Sequence, residues 1–357
     1  MIRNQVLKIA QTYLLPAITD LYGLSDYKIT IVEEHEGGRN LVYRCENADK
    51  GDKIIRISFL PDRTTEDFLS ELEFVRYLYE HGDSVSNAVD SLSGHLLEEI
   101  TYKDERFFVS VFEKAKGKQL ADHGYRYRKG VPLTEYFYNC GKTLGKLHAL
   151  SKGYKPLHHR YSFFDKYNDG FIDQTIPDAF PLLKEKLKEL IQRLERLDRN
   201  SETFGMVHFD YSDGNYMIDY ETGNITVFDF DNACFCWYMY DLENVWEHGA
   251  GWIQSELDPD KRRQFMAEYF ETVLKGYRSE TEIDDKELEN LPLFINVNLM
   301  ENIVEHFKDI HNYGEELRSD EELSYLIKCL EDNIPYQGFF HEIYSSDAPF
   351  SYEACEM

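Results

Sequence analysis

The spacing of hydrophobic and polar positions changes once along this chain. Lys28 to Glu34, Leu41 to Cys45 and Lys53 to Phe59 have strand-like patterns, separated by glycine-bearing turns, and predict three antiparallel strands. A helix is expected from about Glu66 to Tyr79, then a hairpin of His95 to Tyr102 and Arg106 to Phe112 across Lys103-Asp104-Glu105. Beyond Phe112 the apolar positions recur at helical spacing, over Thr134 to Leu150, Pro181 to Leu197, Asp260 to Tyr277, Pro292 to Tyr313 and Asp320 to Glu331. Ser319 with Glu322 reads as a capping box for the last of these. Ahead of the strands, Val6, Ile9, Ala10, Tyr13 and Leu14 mark an N-terminal helix. The pattern predicts an α+β chain: a small antiparallel-sheet part over residues 1–112, a connection at 113–117, and a larger, mainly helical part over 118–357.

One segment interrupts the helical half. His208-Phe209-Asp210-Tyr211-Ser212-Asp213-Gly214-Asn215 is followed by Val227-Phe228-Asp229-Phe230-Asp231, and the residues between read as strand, turn, strand. Such a hairpin would bring Asn215 and Asp229 together at its open end. A carboxylate, an amide and a second carboxylate in this order suit phosphoryl transfer from a metal-bound nucleotide, in which the protein mainly positions groups and holds cations. Asp210 can accept the proton of an attacking hydroxyl, and Asn215 and Asp229 can offer oxygen to Mg²⁺. A calcium loop fits less well. Asp210, Ser212 and Glu221 occupy the right places, but Gly214 falls one position before the required turn glycine, and no helix follows.

Two features of the front part bear on the same chemistry. Glu71 falls on the apolar stripe of its predicted helix with Phe68, Val75 and Leu78, and a buried charge there needs a partner. Arg56, inside the apolar strand Ile54-Ile55-Arg56-Ile57, is the natural one, unless both charges reach solvent. Gly37, Gly38 and Asn40 lie in the turn between the first two strands. There backbone amides could approach phosphate oxygens, although glycines in such a turn also serve turn geometry alone.

Composition narrows the class. The formal net charge of −27 opposes binding to nucleic acid or anionic membrane. It would favour a cationic acceptor, though solubility is the better account of an acidic surface screened by salt. Apolar stretches fall short of a membrane span, and the N-terminus lacks the pattern of a signal peptide. The six cysteines are scattered without metal-binding pairs, which fits a reduced, cytoplasmic setting.

Taken together, Arg56, Glu71, His208-Phe209-Asp210, Asn215 and Asp229 resemble the aminoglycoside phosphotransferase and choline kinase family. Gly37-Gly38-Arg39-Asn40-Leu41-Val42-Tyr43-Arg44-Cys45 is similar to its GGxxNxVYxV turn, and Leu144-Gly145-Lys146-Leu147-His148-Ala149-Leu150 to its LGxLHxL helix. The resemblance implies a bilobal, protein-kinase-like fold that uses ATP and Mg²⁺. It implies Asp210 as catalytic base, Asn215 and Asp229 as metal ligands, and Arg56, paired with Glu71, in place of the phosphate-anchoring lysine. Backbone groups from Glu113 to Ala115 would receive the adenine, and His208 and Asp241 would brace the catalytic loop. Two positions depart from the family pattern: Phe209 replaces a glycine, and Asp213-Gly214 replaces His-Pro-Gly.

The acceptor expected is a hydroxyl of a small molecule, resembling an aminoglycoside, choline or homoserine. Only Phe230 to Tyr240 separate Asp229 from Asp241, which leaves little room for a peptide platform. Asp213, Trp237, Tyr238, Glu243 and Glu247 are candidate acceptor contacts, since aromatic faces and carboxylates can hold an ammonium. Core packing for the aromatics, an Asx-turn for Asp213 and a solvated face for the glutamates are the competing readings. The same fold also serves Ser/Thr protein kinases and catalytically silent scaffolds, and both remain alternatives.

Overall fold

Strand alternation decides which residues of the front part meet. The computed structural model describes residues 3–32, 39–60, 62–253, 255–313 and 320–331. These form two compact units. The first runs to Gly117 and takes in two later segments, Tyr154–Arg160 and Thr226–Asp231. The second comprises Lys118–Gly153, Tyr161–Ile225 and the chain from Asn232 on. The sequence division was contiguous, and no local pattern announced the two added segments. Gly37, Gly38, Ser319 and Cys355 lie outside the described residues.

In the first unit β1 (Lys28–Ile31), β2 (Asn40–Glu46), β3 (Lys53–Ser58), β4 (Ala88–Val89), β5 (Glu98–Tyr102) and β6 (Glu105–Glu113) form one antiparallel sheet. Its order is β1-β2-β3-β6-β4, with β5 also on β6. Leu41, Tyr43, Cys45, Ile55, Ile57, Phe107, Val109 and Val111 share one face and pack against Val6, Ala10, Leu14, Ile18 and Tyr22. Those last five come every fourth residue along α1 (Arg3–Ile9), a π-turn (Ala10–Leu14) and α2 (Leu15–Tyr22). On a regular helix such spacing drifts about 40° per step. The wider π-turn absorbs part of that drift and keeps the stripe on the sheet. Tyr13, expected on the stripe, is instead largely exposed beside Tyr102.

Residues on the alternate face of β3 and β6 meet α3 (Thr65–Glu80), which starts at a reciprocal cap between Thr64 and Asp67. Arg56 and Ser110 are direct partners across β3 and β6 on this face.

The second unit is mainly helical. It contains α4 (Leu133–Ser151), α5 (Phe163–Lys166), α6 (Asp169–Thr175), α7 (Pro181–Glu195), α8 (Tyr238–Trp252), α9 (Pro259–Tyr277), α10 (Asp285–Leu288), α11 (Leu291–Tyr313) and α12 (Asp320–Glu331). β7 (Phe204–Val207) pairs antiparallel with β10 (Cys234–Trp237), and the loop leaving β7 carries His208 to Asn215. β8 (Tyr216–Ile218) enters a turn closed by the Asp219 N–H on the Asn224 carbonyl at 2.9 Å, and β9 (Ile225–Val227) follows. Glycine lets α4 and α9 approach: a methyl at Gly141 would meet the Val273 carbonyl, and one at Gly276 the Tyr138 carbonyl.

Candidate active site

In the first unit the buried charge on α3 is paired as its sequence position required. Glu71 is fully buried, and its two oxygens accept from both terminal nitrogens of Arg56 at 2.7 and 2.9 Å. The Arg56 Nε–H donates to Ser110 Oγ at 3.3 Å, and the guanidinium lies over the Phe112 ring at 5.1 Å. Burial alone would lower the Arg56 pKa, but Glu71 pushes it upward. An Arg56 terminal nitrogen is 4.0 Å from Asp229 Oδ1. Asp229 has φ +64 and an approximately half-exposed side chain. Asn40 Oδ1 accepts from Ser58 Oγ at 2.6 Å.

In the second unit the loop after β7 is fixed by one carboxylate. Asp241, fully buried at the start of α8, accepts the His208 N–H and the Phe209 N–H, each at 2.8 Å. Asp210 follows with an exposed side chain, and its N–H donates to His208 Nδ1 at 3.3 Å. Asn215 Nδ2 donates to the Asp210 carbonyl at 2.8 Å. That bond leaves Asn215 Oδ1 as the atom to offer a cation. The loop therefore holds a proton acceptor and an amide oxygen on a buried frame.

Phe209 has φ +70, a region that glycine enters freely and a bulky residue does not. Its ring stacks on Tyr240 at 4.2 Å with 7° between the planes, and Lys166 Nζ lies 5.3 Å over the ring. The departure at this position is thus supported from α8 and α5.

Several expected acceptor contacts are placed otherwise. Trp237 is buried, donates from Nε1 to the Asp198 carbonyl at 3.0 Å and packs among Phe163, Phe164 and Phe204. Tyr238 is buried against His148 and Gly205. Both serve the core, because β10 turns straight into α8 at this point. Asp213 pairs with His248 at 3.1 Å. Burial would raise its pKa, but the His248 contact and backbone N–H groups hold it below the usual value. At Glu113 the N–H donates to the Asn87 carbonyl at 2.8 Å and the carbonyl accepts from the Ser86 hydroxyl; Ala115 is buried.

Glu243 and Glu247 lie one turn apart on α8, bridged by Asn298 Nδ2 at 3.2 and 2.9 Å. Glu243 is fully buried, and its Oε1 has no hydrogen-bond partner among the described residues. Burial, and then the like charge of Glu247, raise its pKa well above the ordinary value. Asn244 links this pair to the loop: its Nδ2 donates to Glu243 Oε2 and its Oδ1 accepts the Tyr211 N–H, both at 3.3 Å. Asn244 and Asn298 escaped the sequence reading because neutral amides carry no chemical signature of their own.

The chain is similar to known kinases over most of its length. The profile of the phosphotransferase enzyme family matches residues 30–280. The amicoumacin kinase of Bacillus subtilis (strain 168) is 26% identical over 324 residues, covering 89% of this chain and 91% of that protein. The solved structure of amicoumacin kinase hAmiN in complex with AMP-PNP, Ca²⁺ and Ami superposes with a TM-score of 0.80 at 25% identity, over 96% of this chain and all of that one. A microcompartment-associated aminopropanol kinase superposes with a TM-score of 0.65 at 21% identity, over 96% of this chain and 98% of that one. The fold is α+β and kinase-like. No helix among the described residues is long and apolar enough to cross a membrane.

Proposed function

We propose that this protein, which belongs to the phosphotransferase enzyme family and phosphorylates a hydroxyl group of a small molecule, draws the phosphoryl group from ATP and acts on an amine-bearing acceptor. Asp210 is the proton acceptor for the attacking hydroxyl. The observation that carries this reading is the Asp241 brace: two backbone N–H groups fixed by a buried carboxylate hold an exposed Asp210 in place.

The residues fit a divalent cation. Asp229 offers an exposed carboxylate, and the Asn215 amide is locked with its oxygen left over, both hard donors of the kind Mg²⁺ prefers. When bound, Mg²⁺ neutralises charge on the nucleotide phosphates. Arg56 orients those phosphates: Glu71 and Ser110 fix the guanidinium, and each terminal nitrogen keeps a second N–H beyond the one given to Glu71. Asn40, at the start of β2, approaches the phosphates, and the Ala115 backbone meets the adenine.

The acceptor amine is read by Glu247, half-buried, with Glu243 behind it. Burial favours the protonated form of Glu243, and an ammonium held at Glu247 offsets part of the cost of ionising it. Through Asn244 this acidic pair is fastened to the residue that follows Asp210. Amicoumacin and an aminopropanol are the first acceptors to assay by ATP consumption, each alongside its N-acetyl derivative. Turnover of the parent that falls on acetylation supports the amine contact. Equal turnover of amine-free alcohols overturns it, and absence of transfer to any small hydroxyl overturns the choice of acceptor.

A further inference from the structure

We infer that Arg63 and Arg160 are positioning residues for Asp229: their guanidinium groups meet on the carbonyl oxygen of Asp231 and fix the turn that presents the Asp229 carboxylate. The inference rests on reading Asp229 as a metal ligand.

The backbone at Asp229 is left-handed, φ +64, a region that L-residues other than glycine enter less readily and that gains from support by its surroundings. The next two residues are anchored. Phe230 is buried, with its ring edge-on to Phe74 of α3 at 6.0 Å. At Asp231 the carbonyl accepts from Arg160 at 2.6 Å and also from Arg63.

Both arginines are nearly sequestered from water, Arg160 at 3% exposure and the Arg63 side chain at 8%. Burying a guanidinium is expensive unless its donors are used, and here donors of both are spent on one turn. The arrangement acts as a strut. Arg160 spans two carbonyls, donating with its other terminal nitrogen to Asp67 at 2.6 Å in the first turn of α3. One helical turn further on, α3 carries Glu71, which holds Arg56, and Arg56 lies 4.0 Å from Asp229 Oδ1. A closed ring results: Arg56, Glu71, the first turn of α3, Arg160, Asp231, and back along the chain to Asp229. Arg63 grips the same carbonyl from a second side and lies 3.7 Å from Asp231 Oδ2. It also lines a small cavity with Arg39, Arg56 and Ser58. Direct contact with phosphate is thus the competing role for Arg63.

The test compares Arg63→Gln, Arg160→Lys and Arg160→Gln with the wild type. Calorimetry with a non-hydrolysable ATP analogue is run with and without Mg²⁺, and thermal midpoints are recorded alongside. We expect the gain in nucleotide affinity due to Mg²⁺ to shrink about tenfold in the glutamine variants, as for residues that orient metal ligands. Metal-free affinity stays within about twofold of wild type, and Arg160→Lys recovers part of the loss. An unchanged Mg²⁺ gain with a lowered midpoint would show a merely structural role and overturn the inference. An equal loss of metal-free affinity would overturn it in favour of phosphate contact. If Arg160→Gln does not fold, Arg63→Gln decides alone. No Mg²⁺ gain in the wild type would sink the metal-ligand reading itself, and the inference with it.

Discussion

His148 Nε2 lies 3.1 Å from Asp241 Oδ2, the oxygen that also accepts the His208 N–H at 2.8 Å. The other ring nitrogen of His148 is 3.0 Å from the Tyr277 hydroxyl. A helix residue from LGKLHAL thus supports the carboxylate that braces the catalytic loop. Burial lowers the His148 pKa below its ordinary 6.5, against the opposing pull of Asp241. The folded protein resists protonating this ring and the unfolded chain does not. Its contribution to stability is full above about pH 6.5 and is lost as pH falls through the depressed folded value. His148→Gln should melt lower than wild type at pH 8, by the equivalent of about 1–3 kcal/mol for the broken bonds. The gap should narrow on acidification, which midpoints recorded across that range will check.

Asp210→Asn removes the proposed proton acceptor and little else, since the side chain is exposed and the loop is held by Asp241 and Asn215. Turnover should fall by about 10²–10⁴-fold. Nucleotide affinity by calorimetry should stay at the wild-type value. Near-normal turnover would remove Asp210 from the reaction.

The candidate chemistry is legible in the sequence where it is written in side-chain type. Asp210, Asn215 and Asp229 stood out by order and spacing, and the Arg56–Glu71 pair followed from an acid on an apolar stripe. Strand alternation foresaw the front sheet, and helical spacing foresaw α4, α7, α9 and α11 to within a few residues. Residues with alternative uses were less legible. Trp237 and Tyr238 have the chemistry of an ammonium cage, and only the tight β10–α8 junction assigns them to the core. Asp213 was open to an Asx-turn or an acceptor, and His248, thirty-five residues on, decides its partner. Arg63 and Arg160 left no trace because the group they meet is a backbone carbonyl, which every residue has.

Phe209→Gly tests how the loop tolerates a bulky residue at φ +70. Glycine would relieve about 1–2 kcal/mol of backbone strain. It would also lose the burial of the ring, about 1.5–3 kcal/mol, and the Tyr240 stack, about 0.5–1.5 kcal/mol. The net expectation is destabilisation by about 1–2 kcal/mol. Denaturant titration measures it, and a variant more stable than wild type would mean that the stack contributes little.

Gly141→Ala and Gly276→Ala address the contact of α4 with α9. Each new methyl would run into a backbone carbonyl of the facing helix, which cannot rotate aside as a side chain does. Overpacking of this kind costs about 1–3 kcal/mol. His148 lies on α4, so the helix shift should also reduce turnover. A thermal midpoint unchanged from wild type would show that the helices separate freely.

Glu243→Gln isolates the buried carboxyl at the acceptor site. Burial, then Glu247, raise the Glu243 pKa well above its ordinary 4.5, while the Asn298 and Asn244 amides pull the other way. Glu301 on α11 adds further like charge to the same surroundings. The folded state therefore holds this proton more tightly than the unfolded chain does. Its stabilising contribution is full below about pH 4.5 and is lost as pH rises through the raised folded value. Glutamine keeps the shape and never ionises, so the variant should overtake wild type in thermal midpoint as pH rises, with the difference closing in acid. Parallel pH profiles for the two proteins would show that Glu243 is ionised in the folded state throughout. Assayed with an amine-bearing acceptor, the same variant should raise KM with little change in kcat, because the contact is made equally in the ground and transition states.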